Sequence, residues 1–215
     1  MRLPAKSFLT LLLVIIPLYV NAHPHNWIRL KTEFTLDENG QLIEVLQHWT
    51  FDIYYSAINL ADISNEYESQ QEGLNKLAQD MVNNLQGFDF FSELKVANQR
   101  VHLAKPSDYS LTTVLEDGQQ KLLLGMRFTL DGSSPIDSQT LSWRVFDPTY
   151  YIDMRHQTAS KILIHKNNNT ECSTNIESPT PSAEIIDYAA NLDRSMKDTQ
   201  GLGSYFAEKI HIHCR

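Results

Sequence analysis

Cysteine is almost missing from this chain: Cys172 and Cys214 are the only two among 215 residues, which leaves room for one intramolecular disulfide at most. Cations are short as well, 18 Lys and Arg against 26 Asp and Glu, for a formal net charge of −8. A chain without a Lys/Arg surplus lacks the footprint needed to neutralise phosphates, so nucleic-acid binding is excluded as a reading. Long apolar runs are scarce too. Phe8 to Val20 is the single one, and its 13 residues fall short of the roughly 20 that a comfortable spanning helix needs. Also missing are G-x-S-x-G, H-E-x-x-H, a P-loop and a dinucleotide fingerprint. No carboxylate pair stands out as general acid and base, and no internal repeat marks a solenoid. The chain is therefore not expected to be an enzyme.

What is there begins with the apolar run. Arg2 and Lys6 precede Phe8 to Val20, and Val20-Asn21-Ala22 follows with the small residues that signal peptidase requires. Residues 1–22 read as a secretory signal peptide. Cleavage after Ala22 leaves 193 residues, and losing Arg2 and Lys6 takes the net charge to −10. The expected location is outside the cytoplasm, with no membrane span after cleavage. In an exported chain two cysteines most simply pair, closing 43 residues, for which chain-entropy models give about 4 kcal/mol. The competing reading is thiolate ligation, because Cys214 sits in His211-Ile212-His213-Cys214.

The mature part reads as one domain over 23–215. Ile28, Leu30, Phe34 and Leu36 alternate with polar residues, the period of a half-buried strand. Asp37-Glu38-Asn39-Gly40 is a turn, and Gln41 to Phe51 returns as a second strand. A two-residue turn at Asn39-Gly40 sets His48 opposite Lys31. Asp52 to Glu68 is mixed and aromatic, and Asp52 itself reads as a turn or cap. Leu74, Leu77, Ala78, Met81, Val82 and Leu85 fall at helical spacing, and Gly87 suits the stop. Phe88, Phe90 and Phe91 are expected in the core. Further strands are expected over 94–103, 109–115, 122–130, 140–146 and 159–165, with turns at Asp117-Gly118 and over 131–135. Residues 166–182 read as an exposed loop, 183–195 as a helix, and 206–214 as a helix turn or strand. Short strands with turn signals about every ten residues give a mainly β, sandwich-like single domain with one or two packed helices, with α+β as the alternative.

The chemistry concentrates at the processed terminus, His23-Pro24-His25-Asn26-Trp27. The common terminal copper and nickel site uses the amine, two deprotonated amides and an imidazole at position three. His25 is at position three, but Pro24 has no amide hydrogen to lose, so that square-planar site is blocked. What remains is the His23 amine and Nδ1 as a chelating pair, completed by His25 and by His48 if the fold brings it near. Such a set suits copper, zinc, nickel or cobalt. His211 and His213 form a second candidate pair if their segment is a strand. His102, His156 and His165 stand alone and read as structural.

His23-Pro24-His25-Asn26-Trp27-Ile28, His48-Trp49-Thr50-Phe51-Asp52 with Tyr55-Ser56, Phe88-Asp89-Phe90-Phe91 and Asp147-Pro148-Thr149-Tyr150-Tyr151-Ile152-Asp153 together resemble the DUF1007 family. The resemblance covers most of the mature chain. It implies an exported bacterial protein, often labelled the periplasmic component of a transport system, whose genes lie beside nickel/cobalt-type permeases. It puts the family's His-x-His pattern on His23 and His25 and its strand histidine on His48. The expected role is that of a periplasmic transition-metal-binding accessory or chaperone for an inner-membrane metal permease. The alternative is a metal-free sandwich that docks a membrane transport partner through aromatic segments such as 52–67.

Overall fold

In the computed structural model the described residues are 24–130, 140–156, 158–166, 171–192 and 201–214. The expected loop over 131–135 lies outside them, as do His23 and the signal segment.

Two strands open the fold, β1 (Asn26–Leu36) and β2 (Leu42–Phe51), paired antiparallel. Their connection is longer than the expected two-residue turn. Asp37 Oδ1 accepts from the backbone N–H groups of Asn39 and Gln41, both at 2.8 Å, and Gly40 takes φ +73°. A bulge beside Ile43 then shifts the pairing between Leu36↔Leu42 and Thr35↔Glu44. The extra loop residues and the bulge cancel, so Lys31↔His48 is the observed pair.

The mixed segment after β2 is helical, where no element was expected. Asp52 caps α1 (Ile53–Glu66), its carboxylate accepting from Tyr54 and Tyr55 N–H. Ser69 caps α2 (Gln70–Leu85) by accepting from Glu72 N–H. Leu74, Ala78, Val82 and Leu85 form the buried stripe of α2. Gly73 lets the two helices touch: a Cβ there would lie 2.5 Å from Ile63 Cγ2. Gly87 is not the stop that the spacing suggested. The chain runs on as a tight turn over Gln86–Phe91, and Asp89, Phe90 and Phe91 take the positive φ values, 50°, 54° and 54°. That backbone is unfavourable for L-residues. It is held by the Asp89–Arg100 ion pair at 2.7 Å, by Phe90 packing on Phe128 and by Phe91 stacking on Trp49. Phe88, expected in the core, is 56% exposed.

The remaining strands complete two sheets. β3 (Ser92–Val96) and β4 (Gln99–Val101) divide what read as one strand. β5 (Asp108–Glu116) and β6 (Gln119–Thr129) are joined at Asp117-Gly118, both at positive φ, the geometry of a two-residue hairpin turn. β7 (Thr140–Val145), β8 (Ile152–Arg155), β9 (Ile162–Lys166), β10 (Cys172–Glu177) and β11 (Lys209–Cys214) follow. β10 lies inside the expected loop, and β9 begins after a 3-10 turn over Ala159–Lys161. α3 (Ala183–Asn191) and the single turn α4 (Gly203–Phe206) precede β11. One sheet has the order β5-β6-β2-β1-β8, with β9 on β1 beyond β8; the other runs β10-β11-β7-β3-β4.

The sheets face each other across one core, where Phe34 meets Trp143 edge-on at 5.9 Å. A buried polar chain crosses between them: Trp49 Nε1 donates to Gln47 Oε1, Gln47 Nε2 to Ser92 Oγ, and Ser92 Oγ to the Phe90 carbonyl, each at 2.8 Å. The architecture is a mainly β, α+β single domain. Among the described residues no helix is long and apolar enough to cross a membrane.

Candidate functional site

Of the terminal histidines, only His25 lies within the described residues. Its backbone N–H donates to the Tyr151 carbonyl at 2.9 Å, and its ring packs on the Tyr151 ring with centroids 4.7 Å apart. Tyr151 is positioned by the loop before it. The buried Asp147 carboxylate accepts from Thr149 N–H, Thr149 Oγ1 and Ile152 N–H. Tyr150, at φ 58°, stacks on Phe206 at 3.8 Å. The α4 turn presses onto this loop so closely that a Cβ on Gly203 would lie 1.8 Å from the Asp147 carbonyl oxygen. The Asp147–Asp153 motif is thus the support on which the entry to β1 rests. Asp147 and Asp52 are the turn and capping residues that their contexts suggested.

His48 sits on the outward face of β2, since Gln47 and Trp49 point inward. Opposite Lys31, it lies six residues along β1 from His25, roughly 20 Å away at the rise of a strand. The structure therefore does not bring His48 to His25. It brings His48 to Glu33, with Nε2 3.3 Å from Oε1. His165, which read as isolated, places its Nε2 2.7 Å from Glu33 Oε2, and Lys31 Nζ donates to Oε1 at 2.7 Å.

Burial alone would raise the Glu33 carboxyl. Hydrogen bonds from Lys31 and His165, with the positive charge of Lys31, outweigh it and hold the pKa at about 2. His48 is shifted the other way from an ordinary ion-paired imidazole. Burial, with the positive charges of Lys31 and Arg127, lowers its pKa against the pull of Glu33, which favours the neutral ring. Glu33 was missed in the sequence. Its signal was the outward parity of Lys31, Glu33 and Thr35, which becomes legible once the Lys31↔His48 register is set.

His211 and His213 share the outward face of β11, as strand spacing requires, while Ile210 and Ile212 point inward. His211 Nε2 lies 2.8 Å from Glu177 Oε2, and His213 is exposed opposite Ser173. Beside them Cys172 pairs with Cys214 across β10 and β11 and is disulfide-bonded to it, which excludes thiolate ligation. His156 is 1% exposed. It contacts Thr32 Oγ1 through Nε2 at 2.9 Å and Glu208 through Nδ1 at 3.2 Å, so it ties β1 to the start of β11. Among the described residues no group of three His, Cys, Asp or Glu side chains is placed to hold a metal ion. A terminal site would therefore draw on the His23 amine and imidazole besides His25.

A family model described as "Protein of unknown function (DUF1007)" matches residues 8–214. A relative from Haemophilus influenzae, described as "Uncharacterized protein", is 30% identical over 217 residues, spanning 97% of this chain and 99% of its own length.

Proposed function

The chain belongs to the DUF1007 family, and from that premise we propose that it is an exported, periplasmic accessory or chaperone for a transition-metal permease. The ion is held at the processed terminus by the His23 amine and imidazole and by the His25 imidazole. One observation carries the reading. The backbone of His25 is hydrogen-bonded to Tyr151 and its ring is packed on that residue, so the third position of the mature chain is held by the fold. A fixed imidazole two residues from a free amine is preorganised for a first-row metal, and Pro24 stiffens the link. An incomplete ligand set leaves a coordination position open, which permits transfer to a partner by ligand exchange. His48 is removed from this set by its distance, so copper, zinc, nickel or cobalt would be held by terminal ligands alone.

The test is a titration of the mature, cleaved protein with Cu(II), Zn(II), Ni(II) and Co(II), beside a form retaining one residue before His23. Tight binding lost in the extended form is the expected result, because the amine is then an amide. Equal affinity in both forms overturns the reading.

The metal-free docking reading has its own observation. Trp27, Tyr54 and Ile58 are 51%, 78% and 63% exposed, and the Asp52 N–H bond to the Trp27 carbonyl sets the start of α1 beside Trp27. Partner capture that survives His23→Ala and His25→Ala but not Tyr54→Ser would favour it.

A further inference from the structure

We propose that the groove on the outer face of the larger sheet is a binding site for a small carbon-bearing oxyanion, a di- or tricarboxylate or a phosphate ester. Its floor is made by outward positions of three adjacent strands: Arg29 and Lys31 of β1, His48 and Thr50 of β2, and Leu123 of β6. Val114, Leu115 and Glu116 at the end of β5 form one wall. The other wall is Lys161, presented by the 3-10 turn that precedes β9. The groove is half open to solvent, and its volume of about 340 Å³ is within the range of small-ligand pockets and sufficient for a molecule of citrate size.

Charge decides the ligand class. Acidic side chains outnumber basic ones, 26 to 18, in the whole chain, yet the groove lining carries Arg29, Lys31 and Lys161 against Glu116 alone. A cationic concavity with low-dielectric walls focuses potential on anions even when the rest of the molecule repels them. Two of the cations are already engaged in ways that orient them. Arg29 pairs with Glu116, which also takes Lys121 at 3.2 Å, and Lys31 is held by Glu33 at 2.7 Å. Lys161 is exposed and has no ion pair among the described residues. Arg29, its Nη2 turned to Glu116, contributes a fixed positive charge to the floor, and Lys161 an exposed point charge at the wall.

Thr50 adds a hydroxyl, and Leu123 and Val114 give apolar contact to a short carbon skeleton. A bare inorganic anion would leave those apolar surfaces unused. The site is independent of the terminal histidines: its ligand contacts begin four residues into β1 from His25, and it requires neither a free amine nor a metal.

The experiment is isothermal titration of the mature protein in metal-free, low-salt buffer with citrate, succinate, glycerol 3-phosphate and inorganic phosphate, using neutral succinamide as control. The expected result is one saturable site for a carboxylate or a phosphate ester, and the arm that binds names the source. Inorganic phosphate is expected to bind more weakly and succinamide not at all. Lys161→Glu weakens binding by about tenfold or more, since it replaces an attraction by a repulsion across the groove. Glu116→Gln strengthens it severalfold by removing the competing carboxylate, an outcome that a purely structural ion pair would not produce. Circular dichroism confirms folding, with Lys161→Ala in place of Lys161→Glu should the latter not fold. Absence of binding by every oxyanion overturns the proposal. So does succinamide binding as well as succinate, or affinity indifferent to both Lys161 substitutions.

Discussion

Glu33 is an acceptor shared by three donors, and its chemistry gives a pH dependence with a definite sign. Its folded pKa of about 2 lies below the ordinary value of 4.5. Ionised Glu33 therefore favours the fold, fully so above pH 4.5, and that contribution is lost as the pH falls towards 2. After screening by solvent it amounts to about 1–2 kcal/mol. His48 acts in the same direction, because burial disfavours its protonated form in the fold. Urea midpoints measured from pH 6 down to pH 3 should fall more steeply for the wild type than for Glu33→Gln, which has no proton to take up. Parallel profiles would show that Glu33 is not ion-paired in solution. The same scale holds Gln47, which is 1% exposed. Its carbonyl and amide satisfy Trp49 and Ser92 on opposite sheets, so a polar residue at an inward position is tolerated because every group has a partner.

At the scale of elements, the α1–α2 pair rests on an absence. Gly73 in a helix interior is ordinarily a defect, costing about 1 kcal/mol against alanine. Here Ile63 of α1 occupies the space that a Cβ would need. Gly73→Ala should therefore destabilise the protein, by about 1–3 kcal/mol as overpacking does, where propensity alone forecasts a gain. Chemical denaturation of the single variant and of Gly73→Ala/Ile63→Ala, each beside its own Gly73 parent, checks it, because alanine removes both Cγ atoms that a Cβ at position 73 would meet. Gly73→Ala is expected to cost less in the Ile63→Ala background than in the wild type, and a stabilised single variant would refute the packing. The tie between α1 and β6 is of the same kind: Ser56 Oγ donates to the Asp52 carbonyl at 2.7 Å and accepts from Leu122 N–H at 3.0 Å.

At the scale of the molecule, the disulfide and the two parallel contacts of β1 decide how the chain closes. Cys172 and Cys214 are direct partners across β10 and β11, 42 residues apart in sequence. They clamp an edge of the smaller sheet together with the α3 and α4 segment between them. The chain-entropy model puts such a bridge at about 4 kcal/mol, with measured bridges commonly 2–4. Paired Cys172→Ser and Cys214→Ser substitutions, or reduction of the wild type, should lower the melting temperature accordingly. Amide exchange should show protection lost first over β10 and α3. Unchanged exchange there would mean that the sheet pairing holds this region without the bridge.

The strand frame around the candidate site was legible before folding, but the separation of His48 from His25 and its contact with Glu33 were not. Alternation placed β1 and β2, and the turn region between them set His48 opposite Lys31. The compensating bulge at Ile43 lengthened the loop without moving that register. The helical stripe of α2, the Asp117-Gly118 hairpin and the capping role of Asp52 follow from short-range chemistry, where each residue's partner lies within a few positions. Residues 53–66 escaped because α1 buries little: Ser56 and Ile63 are its only buried residues, too few to write a periodic stripe. What the sequence by itself determined is the local register, the turns and the single available disulfide. The tertiary structure alone decided that β8 and β9 lie parallel on the free edge of β1. That pairing brings His165 to Glu33, carries Lys161 to the rim of the groove, and holds His25 on Tyr151 at a distance from His48. Parallel pairing over more than a hundred residues leaves no mark in the neighbouring sequence. It is selected by the shared burial of both sheets' inner faces.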